Sequence, residues 1–523
     1  MKNLPIGISN LNMIIENNLV YVDKTEIAYN LIKSPGRYFL SRPRRFGKSL
    51  FLDTLKEIFE GNKDLFKGLF IYDNWDWDKK YPVIKIDFAG GSVKNIKDLN
   101  NKIQANINHY KNLYNIQLNE TGISNQFNEL IFKIQDKFSS KVVVLIDEYD
   151  KPLLDNIENP EMAMEIREGL KNFYSVFKEQ DANIQFVFLT GVSKFSKVNI
   201  FSGINNLEDI TLNKDYATIC GYTQNDLEVY FKEHLEGVDR ELLKNWYNGY
   251  NFLGNGYASA VYNPFDILLF LSNGKTYRNY WFETETPTFL IKLLKKNNYF
   301  LPDLSNVEVG EEILSSFEID SISIITLLFQ TGYLTIDSVD DSMGKQFYSL
   351  KIPNNEVKIA LNDYIITAYT DLNEQKTPIQ KSTFSALKSG DFKSLEKTII
   401  RLFAGIPYRN FTKNKMYEYE GYYASVLYAF FSAINCDVIP EDITNHGQVD
   451  MTIKLGSTIC VMEIKTTTNF EPNSQNLALK QIQDMDYAKK YLGITNTTTV
   501  YELGLVFDMD KRNLVQFDWR IRR

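Results

Sequence analysis

The chain has 523 residues, of which 44% are hydrophobic, 24% charged and 14% aromatic, and its formal net charge is −8. That aromatic content excludes intrinsic disorder, 27 Gly and 14 Pro exclude a collagenous or linker-like chain, and the length predicts several domains at roughly 100–200 residues each. The acidity argues against a generic polyanion binder, but residues 401–523 hold 14 basic and 14 acidic residues, so a nucleic-acid partner fits that part best.

In chain order, the N-terminus lacks the basic and apolar regions of a signal peptide. No later stretch reaches the roughly 18–20 uninterrupted apolar residues of a membrane span. The expectation is a soluble cytoplasmic protein with no membrane partner. The first 215 residues alternate short β-rich runs (Tyr38–Leu40, Val83–Phe88, Val142–Ile146, Gln185–Thr190) with helical stretches such as Ser49–Glu60 and Met162–Lys178. That alternation predicts a parallel α/β sheet. From about Tyr216 the pattern turns helical, with Gln224–Leu235, Arg240–Trp246 and Pro264–Ser272. Ile324–Phe329, a turn at Thr331–Gly332, Tyr333–Ile336 and Gln346–Lys351 follow, the order of a winged-helix-like unit. Asp371–Ser389 is polar and predicts a linker or helical hairpin, and a fresh α/β pattern starts near Asp391.

Ser41-Arg-Pro-Arg-Arg-Phe-Gly-Lys-Ser49 follows a strand and opens a helix with Leu52, Leu55, Ile58 and Phe59 on one face. In a P-loop, backbone N–H groups at such a helix start cradle phosphates, Lys48 reaches the β/γ oxygens and Ser49 holds Mg2+. Arg45 and Gly47 fall inside that loop. The strict pattern has Gly where this chain has Arg42, and an ordinary basic turn would look similar. A second element bears on the choice: Val142–Ile146 is a β-branched strand ending in Asp147 and Glu148. At the carboxyl edge of a sheet, Asp147 would meet the Mg2+ shell and Glu148 an attacking water. A further strand ends in Thr190, placed to sense a γ-phosphate. Together these predict an ATP site. For Arg42, Arg44 and Arg45, and for Lys194 and Lys197, contact with phosphate or nucleic acid competes with plain solvated charge.

Near the end, Gly447-Gln-Val-Asp450 leads into Met451–Leu455, and after a turn at Gly456 comes Thr458-Ile-Cys-Val-Met-Glu463-Ile464-Lys465, a predicted β-hairpin. Glu463 and Lys465 share one strand face, and Asp450 opens the neighbouring strand. A lone Glu-x-Lys occurs on any solvated β edge, but here the strand is otherwise apolar, so its charges need partners or a metal. The metal set is Asp450, Glu463 and, beside them, Ile464. With three histidines and three scattered cysteines (Cys220, Cys436, Cys460) in the chain, carboxylates must carry any metal, which favours Mg2+ or Mn2+ over zinc. Lys465 would orient the nucleophile or steady transition-state charge. Upstream, Glu418 or Glu420 can add a carboxylate. Downstream, a helix over Leu477–Leu492 carries Gln481, Gln483 and Tyr487, with Gln483 and Tyr487 on one face or Tyr487 in the core.

Arg42-Pro-Arg-Arg-Phe-Gly-Lys-Ser-Leu, Leu145-Ile-Asp-Glu-Tyr-Asp-Lys-Pro, Leu189-Thr-Gly-Val-Ser-Lys-Phe-Ser-Lys, Trp246-Tyr-Asn-Gly-Tyr, Tyr262-Asn-Pro-Phe and Leu328-Phe-Gln-Thr-Gly-Tyr-Leu-Thr resemble the AAA-ATPase-like proteins of bacteria, archaea and some eukaryotes. The C-terminal part is similar to the PD-(D/E)XK nuclease domain usually fused to them. In that family Arg commonly stands at the position of Arg42, whereas Gln448 stands where members often have Arg. The resemblance implies Lys48, Ser49 and Asp147 for phosphate and Mg2+, and Glu148 as catalytic base. For the nuclease it implies Asp450 and Glu463 as ligands, Lys465 as catalytic lysine and Gln481 in a supporting helix. The expected fold is a multidomain α/β chain. It comprises a P-loop, AAA-like ATPase domain (residues 1–215), a helical lid with a winged-helix-like module (216–360), a helical linker (361–400) and a restriction-endonuclease-like α/β domain (401–523). The expected function is an ATPase using Mg2+, coupled to a metal-dependent nuclease on DNA or RNA, with a possible homo-oligomer. The alternative is a regulatory ATPase switch whose C-terminal domain binds nucleic acid or protein without cutting.

Overall fold

The computed structural model describes residues 1–194, 206–253, 260–281, 288–297, 299–305, 307–311, 323–342, 344–370, 372, 375–406, 420–493 and 499–522. It divides into two compact units, Met1–Thr284 with Glu308–Pro353, and Glu285–Val307 with Asn354–Arg523.

The first unit is built on five parallel strands, β1 (Gly36–Ser41), β2 (Val83–Asp87), β3 (Val142–Asp147), β4 (Ile184–Gly191) and β5 (Glu208–Asp209), in the order β2-β3-β4-β1-β5. The strand that follows β3 in sequence therefore lies between β1 and β3. Every residue of β3 is buried, as a β-branched run covered on both faces should be. Helix α1 (Lys48–Glu60) follows β1 directly. Two further long helices, α2 (Ile96–Leu113) and α3 (Ile123–Phe138), lie between β2 and β3 in the chain, and α4 (Pro160–Glu179) follows β3. Their apolar stripes meet in one core: Leu99, Ile103 and Ile107 of α2, Phe127, Leu130 and Ile134 of α3, and Ile166, Leu170 and Phe173 of α4. Burying each such side chain stabilises the unit by about 1.5–3 kcal/mol. Asn95 and Asn159 cap α2 and α4 by accepting from N–H groups three residues on, and Pro160 sits at the first turn of α4.

Shorter helices over Gln224–Tyr230, Arg240–Tyr247 and Pro264–Ser272 surround a second core that includes Leu227, Leu243 and Ile267. The first of them stops five residues before the expected Leu235. A three-stranded sheet, β6 (Val307–Gly310), β7 (Thr335–Asp340) and β8 (Phe347–Lys351), has the order β6-β8-β7. Helix α5 (Ile324–Thr331) is capped by the Ser323 side chain and closed by Gly332 at φ +89°. The helix, turn and two antiparallel strands come in the expected order, with the first strand starting at Thr335 rather than Tyr333.

In the second unit α6 (Asn355–Thr370) packs against α7 (Glu420–Ala433). Within Asp371–Ser389, expected to be a linker or helical hairpin, lies one helix, Lys376–Ser389; its hairpin partner, Phe392–Ala404, follows a turn at Gly390 with φ +69° and falls in the stretch expected to open the α/β pattern. The sheet β9 (Asp437–Thr444), β10 (Gly447–Leu455), β11 (Thr458–Thr467), β12 (Thr499–Asp508) and β13 (Asn513–Arg522) has the order β13-β12-β11-β10-β9. It is antiparallel except for β11 with β12. Helix α8 (Leu477–Asp484) lies on β11 and β12. It ends eight residues short of the expected Leu492, because Asp486 adopts φ +50° and a 3-10 turn takes over Tyr487–Tyr491. Gln483 and Tyr487 therefore share no helix face. The three cysteines are free and buried, and no helix among the described residues is long and apolar enough to cross a membrane.

Candidate functional site

The loop between β1 and α1 is shaped by its backbone. Gly47 caps the helix at φ +93°, and nothing lies within 4 Å of where its Cβ would stand. Arg45 also has a positive φ, +66°. Lys48 is buried and turns back into the loop, where its Nζ donates to the carbonyl oxygens of Arg42 and Pro43, both at 2.9 Å. Burial pulls this ammonium below its ordinary pKa, and the Asp147 carboxylate opposes that effect. A buried cation at the open N-terminus of a helix fits phosphate oxygens.

The carboxyl ends of β3 and β4 complete the other wall. Asp147 is 2% exposed, and its Oδ1 accepts from the Thr190 hydroxyl at 2.6 Å and from the Glu148 N–H at 3.1 Å. Glu148 is half-buried at φ +51°. Burial raises its pKa, with Lys48 pulling the other way. Ser49 is half-buried in the first turn of α1. Lys48, Asp147, Glu148 and Thr190 thus come together, and the hard-oxygen set of Ser49 and Asp147 suits Mg2+.

The loop arginines do different work. Arg42 is fully buried, donates to the carbonyls of Ser41 (2.8 Å), Thr211 (2.7 Å) and Tyr216 (3.1 Å), and lies 3.8 Å above the Phe252 ring. It is a strut of the fold and not a phosphate contact. Arg45 is exposed, 4.9 Å over the ring of Phe265. Lys194 is committed to an ion pair with Asp209, and Lys197 lies outside the described residues.

In the second unit, β10 and β11 pair up to Met451 opposite Met462. Beyond that the ladder is continued by a side chain: the Ile464 N–H donates to Asp450 Oδ2 at 2.7 Å, and the Asp450 N–H points at Glu463 Oε2 at 3.4 Å. Glu463, 1% exposed, accepts from Lys465 Nζ at 2.8 Å. Lys465 also lies 3.6 Å from Glu420 at the start of α7, while Glu418 is outside the described residues. Burial first and the Glu463 charge second push the Asp450 carboxyl up to about 7. Burial raises Glu463 as well. For Lys465, burial acts downward, but the hydrogen bond and charge of Glu463 outweigh it and leave the ammonium above its ordinary value. A buried and a half-buried carboxylate that repel each other suit a hard divalent cation. No group of three or more His, Cys, Asp or Glu poised for a metal occurs among the described residues.

Gln481 is half-buried on α8. Tyr487 lies off the helix and is 3% exposed, packed in a core with Val449, Val461 and Ile482. Gln448 is exposed. Two residues were not singled out from sequence. Gly504 stands opposite Glu463 across β11 and β12, and a Cβ there would lie 2.4 Å from the Leu479 backbone N. Asn476 caps α8 by accepting from the Leu479 N–H at 2.9 Å and fastens it to the sheet by donating to the Gly504 carbonyl, also at 2.9 Å. A cap-forming Asn before an amphipathic helix was a readable signal.

A family model described as predicted AAA-ATPase matches residues 5–201, and one described as PD-(D/E)XK nuclease superfamily matches residues 418–517. An uncharacterized protein in the vnfD 5′ region of Azotobacter chroococcum mcd 1 is 44% identical over 519 residues, 99% of this chain and 98% of that protein. Among solved structures, Cdc6p of Pyrobaculum aerophilum is 12% identical at a TM-score of 0.25, over 66% of this chain and 92% of its own. Orc1 of Aeropyrum pernix, solved in complex with DNA, is 10% identical at 0.26, over 65% and 90%. Superpositions that low carry no argument about this chain.

Proposed function

Since the chain belongs to the family that joins a predicted AAA-ATPase to a PD-(D/E)XK nuclease-superfamily domain, we propose that it hydrolyses ATP at the first site and cuts nucleic-acid phosphodiesters at the second. The observation that carries the nuclease half is the buried Glu463 with the half-buried Asp450 beside it and Lys465 at 2.8 Å from Glu463. In this reading residues 1–215 form the ATPase domain, 216–360 the helical lid with a winged-helix-like module around α5, β7 and β8, 361–400 the helical linker and 401–523 the nuclease domain.

At the nucleotide site Lys48 exchanges its carbonyl partners for β- and γ-phosphate oxygens, and the N–H groups around Gly47 cradle the rest, with Arg45 at the rim. Ser49 and Asp147 hold Mg2+, which supplies charge neutralisation when bound. Glu148, its pKa raised by burial, takes a proton from the attacking water. Thr190 keeps Asp147 in place and stands beside the γ-phosphate. At the nuclease site Asp450, Glu463 and Ile464 hold Mg2+ or Mn2+, whose bound form polarises the phosphodiester. Lys465 orients the water, Glu420 adds a carboxylate, and Gln481 supports the substrate strand. The chain acts in the cytoplasm, and a neighbouring copy in a homo-oligomer supplies an arginine finger if one is used.

One observation favours the non-cutting alternative: Gln448 stands where similar proteins often have arginine. The test is cleavage of labelled single- and double-stranded DNA and RNA with Mg2+ or Mn2+, with and without ATP, beside Asp450→Ala. Cleavage lost in the variant supports the nuclease. Full cleavage by Asp450→Ala sinks the assignment, and no cleavage from protein that still binds ATP moves the reading to the regulatory switch.

A further inference from the structure

The loop leaving β4 is held from two sides. On the β3 side Asp150, 1% exposed, accepts from the N–H groups of Val192 (3.1 Å) and Ser193 (2.6 Å), and the Tyr149 hydroxyl donates to the Ser193 carbonyl (3.0 Å). Gly191 lets these groups meet: a Cβ there would lie 2.6 Å from the Tyr149 ring and 2.7 Å from the Asp150 carboxylate. On the other side Gln330, in the last turn of α5, accepts the Lys194 N–H through Oε1 at 2.7 Å. Gln330 is 5% exposed, and its Nε2 has no hydrogen-bond partner among the described residues. An apolar side chain in that place would leave the Lys194 N–H without its acceptor, so the oxygen is the part of this side chain the site requires.

The same helix end rests on the phosphate loop. At Gly332, which closes α5, a Cβ would lie 2.8 Å from Pro43, and the Pro43 carbonyl is one of the two that hold Lys48. One helix terminus therefore touches the loop under Lys48 and, through Gln330, the segment four residues beyond Thr190. We infer that Gln330 is a positioning residue for ATP turnover: by holding the Lys194 N–H it fixes the end of β4, keeps the Thr190 hydroxyl on Asp147, and makes turnover depend on where α5 stands. This rests on the ATPase reading given above. Gln330 touches none of the groups expected to bind phosphate, so its loss spares affinity and costs rate.

The experiment uses the full chain and measures steady-state ATP hydrolysis, together with affinity for a fluorescent ATP analogue in Mg2+. It compares wild type, Gln330→Met, Gln330→Glu and Lys48→Ala. Gln330→Met keeps the volume and loses the acceptor. Its kcat should fall about tenfold, the scale of a small misplacement of catalytic groups, with affinity within about twofold of wild type. Gln330→Glu keeps an acceptor oxygen and should recover most of that loss. Should Gln330→Met fail to fold, Gln330→Asn, whose oxygen is drawn back by one methylene, must show the same split. Wild-type kcat in Gln330→Met, or affinity and rate falling in proportion, overturns the inference while a Lys48-dependent ATPase still stands. A wild-type chain whose hydrolysis ignores Lys48→Ala removes the ATPase reading and this inference with it.

Discussion

Replacing Asp450 by Asn should stabilise the metal-free protein at alkaline pH and abolish its stabilisation by metal. In the fold, burial and the neighbouring Glu463 charge push the Asp450 carboxyl up to about 7, whereas in an unfolded chain it titrates near ~3.9. Between about pH 4 and 7 the folded state therefore holds a proton that the unfolded state has released, so stability falls as pH rises through that window. The loss is complete above about 7. A difference of about three pH units at 1.36 kcal/mol each sets a ceiling of about 4 kcal/mol, and relaxation around the pair brings the expected value to roughly 2–4 kcal/mol. Asn keeps an oxygen for the Ile464 N–H, which donates to Asp450 at 2.7 Å, and removes the charge that repels Glu463. Thermal or urea unfolding in EDTA at pH 8.5 should show the variant more stable by that amount, with the gap closing towards pH 4. Adding Mn2+ should then raise wild type and leave Asp450→Asn unmoved. Equal pH dependence of the two proteins, or equal stabilisation by Mn2+, would refute the electrostatic account of the pair.

Two further substitutions test the scaffolds under the sites. Gly504→Ala places a Cβ 2.4 Å from the Leu479 backbone N and 2.6 Å from its Cβ, so α8 must shift, at a cost of about 1–3 kcal/mol and a fall of several degrees in Tm; an unchanged Tm would show that the helix gives way freely. Arg42→Gly restores the strict phosphate-loop pattern but strips donors from three backbone carbonyls, so roughly 3 kcal/mol or more of stability should vanish in a denaturation series without any gain in ATP affinity. Tighter ATP binding by a variant of unchanged stability would place Arg42 at the phosphates instead.

What could be read in advance was local. The runs Tyr38–Leu40, Val83–Phe88, Val142–Ile146 and Gln185–Thr190 each became a strand because β-branched and aromatic runs bounded by turns have few other solutions. The hairpin around Gly456 set its own register, which is why Asp450 and Glu463 could be placed side by side. Long-range demands were not legible. Tyr487-Ala-Lys-Lys-Tyr491 has ordinary helix formers, yet the helix stops before it. Asp442, 2% exposed, takes the Lys490 ammonium and the Tyr491 hydroxyl, and Asp486 pairs with Arg522. Those bonds outweigh local propensity. The role of Arg42 was hidden for the same reason, since Thr211 and Tyr216 lie some 170 residues along the chain.

The two sites treat their lysines differently, and the difference has a consequence for order of binding. A buried ammonium needs partners. Lys48 is satisfied by two neutral carbonyls, which on the proposed reading a fully charged phosphate would displace. Lys465, 31% exposed, is held instead by the buried Glu463 carboxylate with Glu420 3.6 Å away, so it already has the charge-assisted bond that a substrate would offer. Glu463 can release Lys465 only when another positive charge takes its place, because a bare carboxylate 1% exposed would otherwise be stranded beside Asp450. On the proposed reading the first site would accept nucleotide as it stands, whereas Lys465 would be free to orient a nucleophile only once Asp450 and Glu463 held a divalent cation.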